Sequence, residues 1–294
     1  MLEFKNISKK YGSFEALKNI SFSIPKNSIF GILGANGSGK STFMKILPGL
    51  IQNWTGQILY KDQILKLNSK LLKNNFGYLI ESPTFYEYLT AKQNLELFSR
   101  ISFVPKDRIN TVLELVNLIE RKNDKVSNYS YGMKQRLGIA QALLHDPDII
   151  VLDEPNNGLD PNGINDMTKL IKELKSKGKT ICLSTHNLKD VEEICTDFTI
   201  FKNGINSIST SMETQLKNSK KWLLNVNDKE EAIARITKSN LLSVINVFNN
   251  NILIDSKSES TINDLNDILN DIEMIIYKFS MCLLYRWRFA KISS

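Results

Sequence analysis

Ile29, Phe30, Gly31, Ile32 and Leu33 form an uninterrupted apolar run, and strand-like runs recur at 76–80, 149–152, 180–184 and 198–202. Helix-like stretches separate them, an alternation that predicts a largely parallel sheet covered by helices. Met1 to Ile24 reads as short antiparallel strands. Between 88 and 145 no strand pattern appears. There Leu95, Phe98 and Ile101, then Ile109, Val112, Leu113 and Val116, keep helical spacing, which predicts a helical insertion. Pro105 and Lys106 separate a pair of its helices, and Gly132 opens another on which Met133, Leu137, Ala140 and Leu144 share a face.

After Ser211 the pattern changes: Asn, Ser and Lys increase and glycine nearly vanishes. This shift predicts a main domain over 1–210, a linker over 211–219 and a small domain over 220–280. The small domain reads as strand 222–226, helix 229–238, strands 242–248 and 251–255, helix 261–272 and strand 274–279, an α+β sandwich of βαββαβ type. Its second helix carries the stripe Ile262, Leu265, Ile268, Leu269 and Ile272, with Asp264 set as in a capping box after Thr261. The tail over 281–294 mixes apolar, aromatic and basic residues without periodicity. A packed or disordered terminus is favoured there over contact of Arg286, Trp287 and Arg288 with lipid headgroups.

With 294 residues and 42% hydrophobic composition the chain buries a full core. No apolar stretch reaches the roughly 20 residues that span a bilayer, and the start MLEFKNISKKYG does not resemble a signal peptide. A cytoplasmic location is therefore expected. The net charge of +7 fits nucleic acid, an anionic membrane surface or merely solvated lysines. The lysines are scattered, with no dense basic block interleaved with aromatics, so the last reading is favoured and no nucleic-acid partner is expected. Cys182, Cys195 and Cys282 have no paired metal spacing and read as reduced thiols.

The chemistry begins directly after the first apolar run, in the segment GANGSGKST. Gly34, Ala35, Asn36, Gly37, Ser38, Gly39, Lys40, Ser41 and Thr42 have the spacing of a P-loop, whose backbone N–H groups cradle phosphate oxygens at a helix start. Lys40 would reach the outer phosphates and Ser41 would hold Mg2+, which together call for a nucleoside triphosphate. A second acidic element belongs at the end of a neighbouring buried strand, and IIVLDEP supplies it. Asp153 is expected in the magnesium shell and Glu154 as general base for a water attacking the terminal phosphorus. Pro48, near the end of the helix after the loop, is tolerated because Gly49 follows and the helix ends there.

The segment NYSYGMKQR, over 128–136, resembles the signature motif of ABC-type ATPases. With the P-loop, the acidic strand end, GLDP at 158–161 and STH at 184–186, it completes the ordered set of that family over roughly residues 1–210. The resemblance implies a P-loop NTPase of the ABC type, with an antiparallel β subdomain and helical insertion, plus the small C-terminal domain. It further implies a head-to-tail dimer in which ATP lies between one chain's P-loop and its partner's Ser130 and Gly132. Tyr11 would stack on adenine, Asp160 would lie at the dimer seam, and His186 would touch the terminal phosphate. Tyr129, Met133 and Asn156 depart from commoner residues of the motifs without removing a required group. At 81 the family usually has glutamine, and this chain has Glu81, which still offers magnesium an oxygen but adds negative charge beside phosphates.

Glu81, followed by SPTFYEYLTAKQNL, looks like the peptide-antibiotic subgroup of bacitracin exporters and lantibiotic self-protection transporters. The reading that results is a motor subunit bound to separate transmembrane permease subunits on the inner face of the membrane. Those subunits would handle the peptide cargo, and residues 81–103 would meet them, with Phe85, Tyr86 and Tyr88 either forming that surface or packing locally into the core. ABC-type ATPases acting on nucleic acid or the ribosome are the alternative; they usually carry two motors or a long coiled coil, and this chain has one motor and no sustained heptads. A P-loop kinase leaves the signature segment unexplained.

Overall fold

The computed structural model describes residues 1–66, 69–211, 221–239, 242–248, 251–256, 268–269 and 274–278. The chain divides into two compact units, Met1–Met212 and Glu213–Ser294.

The first unit holds two sheets. One is antiparallel, in the order β2(Phe14–Ile24), β1(Leu2–Tyr11), β4(Trp54–Tyr60), β5(Gln63–Ile64). The expected short strands over Met1 to Ile24 are in fact two long ones, of 10 and 11 residues. The register slips between Phe4 and Ile7 and between Ile7 and Lys9, and Asn6 and Asn19 take φ of 53° and 50°. Such bulges re-phase the alternation of inward side chains, so one strand reads as two fragments.

The second sheet has the order β10(Ile205–Ser211), β9(Asp197–Lys202), β3(Ile29–Leu33), β8(Thr180–Thr185), β7(Ile149–Asp153), β6(Phe76–Leu79). All neighbours are parallel except β9 with β10. The three central strands β3, β8 and β7 are almost wholly buried, as their apolar runs require. Five phenylalanines tie the layers together. Phe4 and Phe22 come from the antiparallel sheet, Phe30 and Phe201 from the parallel one, and Phe43 from the helix after the P-loop. Ring centroids are 4.7 Å apart for Phe4–Phe43, 5.2 Å for Phe22–Phe30 and 5.4 Å for Phe43–Phe201. Each such pair adds about 0.5–1.5 kcal/mol beyond burial, so the phosphate loop is anchored through its own helix.

That helix, α1(Lys40–Met44), is shorter than expected: turns begin at Lys45, before Pro48, and Gly49 follows at φ 76°. α2(Lys70–Asn75) leads into β6. The insertion contains α3(Ala91–Ile101), α4(Asp107–Leu115) and α5(Tyr131–Leu143). Thr90 and Gln93 close a capping box on α3. Ile101, expected on its buried stripe, is 74% exposed because the helix ends there, and the inner face is completed by Asn94 and Ser99 instead. α5 begins at Tyr131, one residue before the expected Gly132. It lies close against β6, where a Cβ on Gly77 would stand 2.3 Å from the Ala142 carbonyl oxygen. α6(Pro161–Ser176) and α7(Leu188–Ile194) follow β7 and β8.

The second unit carries an antiparallel sheet β12(Leu242–Phe248), β13(Asn251–Ser256), β11(Lys221–Val226), β14(Met274–Lys278) and the helix α8(Lys229–Lys238). Leu224, Val226, Ala232, Ile236, Ile252 and Ile254 form its core. Of the helix expected over 261–272, only Ile268 and Leu269 are described. Asp264, the tail over 281–294 and nearly all of the expected linker lie outside the described residues.

Candidate active site

β3 ends at Leu33, and the chain then turns through Gly34–Gly39 into α1. Gly39 stands at φ 107°, and a Cβ there would be 2.9 Å from the Ala16 carbonyl oxygen, so only glycine allows the turn. The loop is pinned on both sides: Gly34 N–H donates to Thr185 O at 3.2 Å, and Gly204 N–H donates to Ser38 O at 3.0 Å. Lys40, only 4% exposed, donates from Nζ to the carbonyl oxygens of Gly34 at 2.8 Å and Ala35 at 3.3 Å. The ammonium is thus held inside its own loop.

The acidic strand end lies beside it. Asp153 closes β7 opposite Ser184 of β8 in the parallel register, and Glu154 turns at φ 51°. That left-handed turn lets two adjacent carboxylates serve one site, which a continuing strand would forbid. Ser184 Oγ accepts the Glu154 N–H at 2.9 Å and donates to Asp153 Oδ1 at 2.5 Å. Burial pushes the Asp153 carboxyl up from its ordinary range, and the Ser184 bond opposes that rise. Both Glu154 oxygens are engaged: Oε1 lies 3.4 Å from Lys40 Nζ and Oε2 lies 2.6 Å from His186 Nδ1. A cavity of about 650 Å³ opens over Lys40, Glu154 and His186, and Asp153, Ser184 and Glu81 are not in its lining. Of the residues the sequence nominated, Asn36, Gly37, Gly39, Lys40, Ser41, Thr42, Glu154 and His186 line it. Gly34, Ala35 and Ser38 form the turn behind the lining.

Ser130, Gly132 and Asp160 stand elsewhere. They line a second cavity of about 410 Å³, formed by the start of α5 and the loop before α6, which contains no P-loop residue. Ser130 caps α5 by accepting Met133 N–H at 3.3 Å, and Asp160 caps α6 by accepting Gly163 N–H at 2.7 Å. Tyr11, the expected adenine platform, does not line the first cavity. It ends β1 opposite Phe14, with Lys9 Nζ 4.8 Å from its ring centroid. Phe14 and Ala16 form the rim on that side. Glu81 follows β6 at φ 64°, and its Oε1 lies 2.5 Å from Lys45 Nζ. The Lys45 ammonium beside it holds the Glu81 carboxyl below the usual range.

Ser184 and Asn157 also belong to the site, and sequence reading passed over both. A hydroxyl at the end of an otherwise apolar strand, inside the segment STH, was the available signal for Ser184. Cys182 and Cys195 are buried free thiols. Among the described residues no group of three or more His, Cys, Asp or Glu side chains forms a metal cage.

A glycine loop pinned at the carboxyl ends of parallel strands, with an inward lysine and a neighbouring acidic strand end, defines a P-loop NTPase. The ABC transporter family profile matches residues 17–157. The ABC transporter ATP-binding protein YhcH of Bacillus subtilis, itself uncharacterized, is 36% identical over 250 residues, 84% of this chain and 82% of its own. The bacitracin transport ATP-binding protein BcrA of Bacillus licheniformis is 36% identical over 79% of this chain and 77% of its own. The lantibiotic transport ATP-binding protein SrtF of Streptococcus pyogenes is 39% identical over 66% and 83%. Among solved structures, the ADP conformation of the cassette MJ1267 aligns with a TM-score of 0.67 at 26% identity, over 74% of this chain and 94% of that one. The dimeric cassette MJ0796 aligns with a TM-score of 0.64 at 26% identity, over 72% and 99%. The chain belongs to the ATP-binding subunits of ABC transporters and is an ATP-hydrolysing transport motor.

Proposed function

We propose that two copies of the chain pair head to tail around two ATP molecules and drive export of a peptide antibiotic through separate membrane subunits. One observation carries the pairing: the P-loop cavity and the Ser130–Gly132–Asp160 cavity are separate within one chain. A two-fold dimer lets each cavity meet its complement on the other copy, so both sites close together. The dimeric structure of the related cassette MJ0796 supports the same reading.

Within each closed site Lys40 and the loop N–H groups bind the phosphates. Glu154 takes the proton of the attacking water, and His186, already bonded to Glu154, holds that carboxylate beside the terminal phosphate. Ser130 and Gly132 of the other copy approach the phosphate from the helix start, with Asp160 at the seam, and Tyr11 faces the base across the Phe14 rim. Ser41, Asp153 and Glu81 offer only oxygen donors, which suits Mg2+. A divalent cation would offset the burial that raises the Asp153 carboxyl, and when bound it neutralises charge on the phosphates. Glu81, Tyr86 and Tyr88 sit on the turn between β6 and α3, and the two tyrosines are exposed at 52% and 69%. This is the surface offered to the membrane subunit. Among the described residues no helix is long and apolar enough to cross a membrane, so docking to that subunit would hold the chain at the cytoplasmic face. The peptide cargo rests on the relatives BcrA and SrtF and on Glu81.

Trans-complementation tests the pairing. Lys40→Ala and Ser130→Arg are each expected to stop turnover alone. Mixed one to one, they should recover about a quarter of it, because half the pairs are mixed and each mixed pair keeps one intact site of two. No recovery on mixing refutes the shared site. For the cargo, deleting the gene should sensitise its host to a cationic or cyclic peptide antibiotic, and unchanged growth across a panel of such peptides counts against the assignment.

A further inference from the structure

Glu81 places a carboxylate where the family usually has a neutral amide, beside a site that must also accept phosphates. Its counter-charge comes from the P-loop helix. Lys45 follows Ser41 by four residues, and its N–H donates to Ser41 O at 3.1 Å, so the two side chains leave the same face one turn apart. The Lys45 ammonium lies 2.5 Å from Glu81 Oε1. Its field also reaches Asp153, where it opposes the rise caused by burial. One lysine therefore pairs with Glu81 and shares the P-loop helix with Ser41.

We propose that Lys45 is a positioning residue for Glu81: it holds the carboxylate beside the P-loop helix before the metal arrives and must release it when the metal binds. The inference rests on the reading of Glu81 as a metal ligand. In this arrangement lysine and divalent cation compete for one carboxylate. The Glu81 side chain is 66% exposed, so the pair is weak enough to exchange, and pairs of that kind shift an equilibrium by about two- to fivefold.

The test uses the full chain carrying Glu154→Gln, so that ATP persists, and reads the Mg2+ concentration that half-saturates binding of a fluorescent ATP analogue. Lys45→Met and Lys45→Gln should each lower that concentration about two- to fivefold, while Lys45→Arg restores the original value. With Glu81→Gln also present, removing Lys45 should change little. An equal shift in the Glu81 and Gln backgrounds overturns the proposal, because Lys45 would then act by its general field alone. If Glu81→Ala, which leaves no side-chain oxygen at that position, keeps the Mg2+ requirement unaltered, Glu81 is not a metal ligand, and the underlying reading falls together with the inference.

Discussion

Ser184→Ala removes one oxygen from the centre of the acidic strand end, and its cost follows from two bonds. Ser184 is fully buried, accepting Glu154 N–H at 2.9 Å and donating to Asp153 Oδ1 at 2.5 Å. Losing a neutral acceptor costs about 1 kcal/mol, and losing a donor to a carboxylate about 1.5–3 kcal/mol. Asp153 and Glu154 are only partly buried, so water recovers some of this, and the net is about 2–3 kcal/mol. For a unit of this size each kcal/mol lowers Tm by about 2–4 °C, which predicts a drop of about 4–12 °C in a nucleotide-free thermal melt. The Asp153 carboxyl, already raised by burial, rises further once its donor is gone. A raised carboxyl binds protons in the folded state that the unfolded state releases, so stability falls as pH rises from the ordinary value of 3.8 through the folded one. The deficit of Ser184→Ala should therefore be larger at pH 7 than at pH 4. ATP turnover should fall about tenfold, since the φ 51° turn at Glu154 loses its anchor, while Ser184→Thr should retain most of both. A melt within a degree of the parent at pH 7, with turnover unchanged, refutes the reasoning.

Lys40→Ala leaves the oxygens of Gly34, Ala35 and Glu154 without their shared cation. ATP affinity should drop at least about tenfold in a calorimetric titration, and equal affinity removes Lys40 from the phosphate cradle. His145 places Nε2 3.0 Å from Phe76 O, and burial depresses its pKa. The unfolded imidazole then takes a proton that the folded one refuses, so stability is full above the ordinary value of 6.5 and is lost as pH falls through the depressed one. Urea melts from pH 7.5 to 5.5 should show this slope in the parent and a flatter one in His145→Asn. Gly77→Ala sets a Cβ 2.3 Å from backbone at Ala142. It should destabilise by more than about 2 kcal/mol, read by denaturant midpoint, because neither strand nor helix backbone can give way cheaply.

The parallel sheet was legible because each of its central strands is buried on both faces and so reads as an unbroken apolar run. The lengths of β1 and β2 were not, since the bulges at Asn6 and Asn19 hide a continuous ladder from any pattern of period two. β4 and β10 went unread: Trp54–Tyr60 opens with the polar stretch Thr55, Gly56 and Gln57, and Ile205–Ser211 is mostly Ser, Asn and Thr. Partner strands, and not their own composition, make them strands. The P-loop and the two acidic residues were visible because phosphate chemistry allows few residue types at fixed spacing. Ser184 was not, because it acts through Asp153 and Glu154, which only the sheet order brings close, and Asn157 and Phe14 were not, because neither belongs to a phosphate-binding spacing although both line the cavity.

That order also explains why the chain carries two separate cavities. β3, β8 and β7 are adjacent, so their carboxyl ends deliver the P-loop, Ser184–His186 and Asp153–Glu154 to one crevice without help from distant regions of the fold. α5 departs from the opposite side of that logic, because its place is fixed by contact with β6 at the edge of the sheet, through Gly77 and through Gly138, whose Cβ would lie 2.7 Å from Leu79 Cδ1. The P-loop helix is fixed just as firmly by the phenylalanine cluster. Two rigidly seated helix starts in separate cavities cannot meet by side-chain motion alone. On the proposed pairing a second copy would bring a signature helix to the P-loop without disturbing either packing, which would make it the least costly way to complete the pocket.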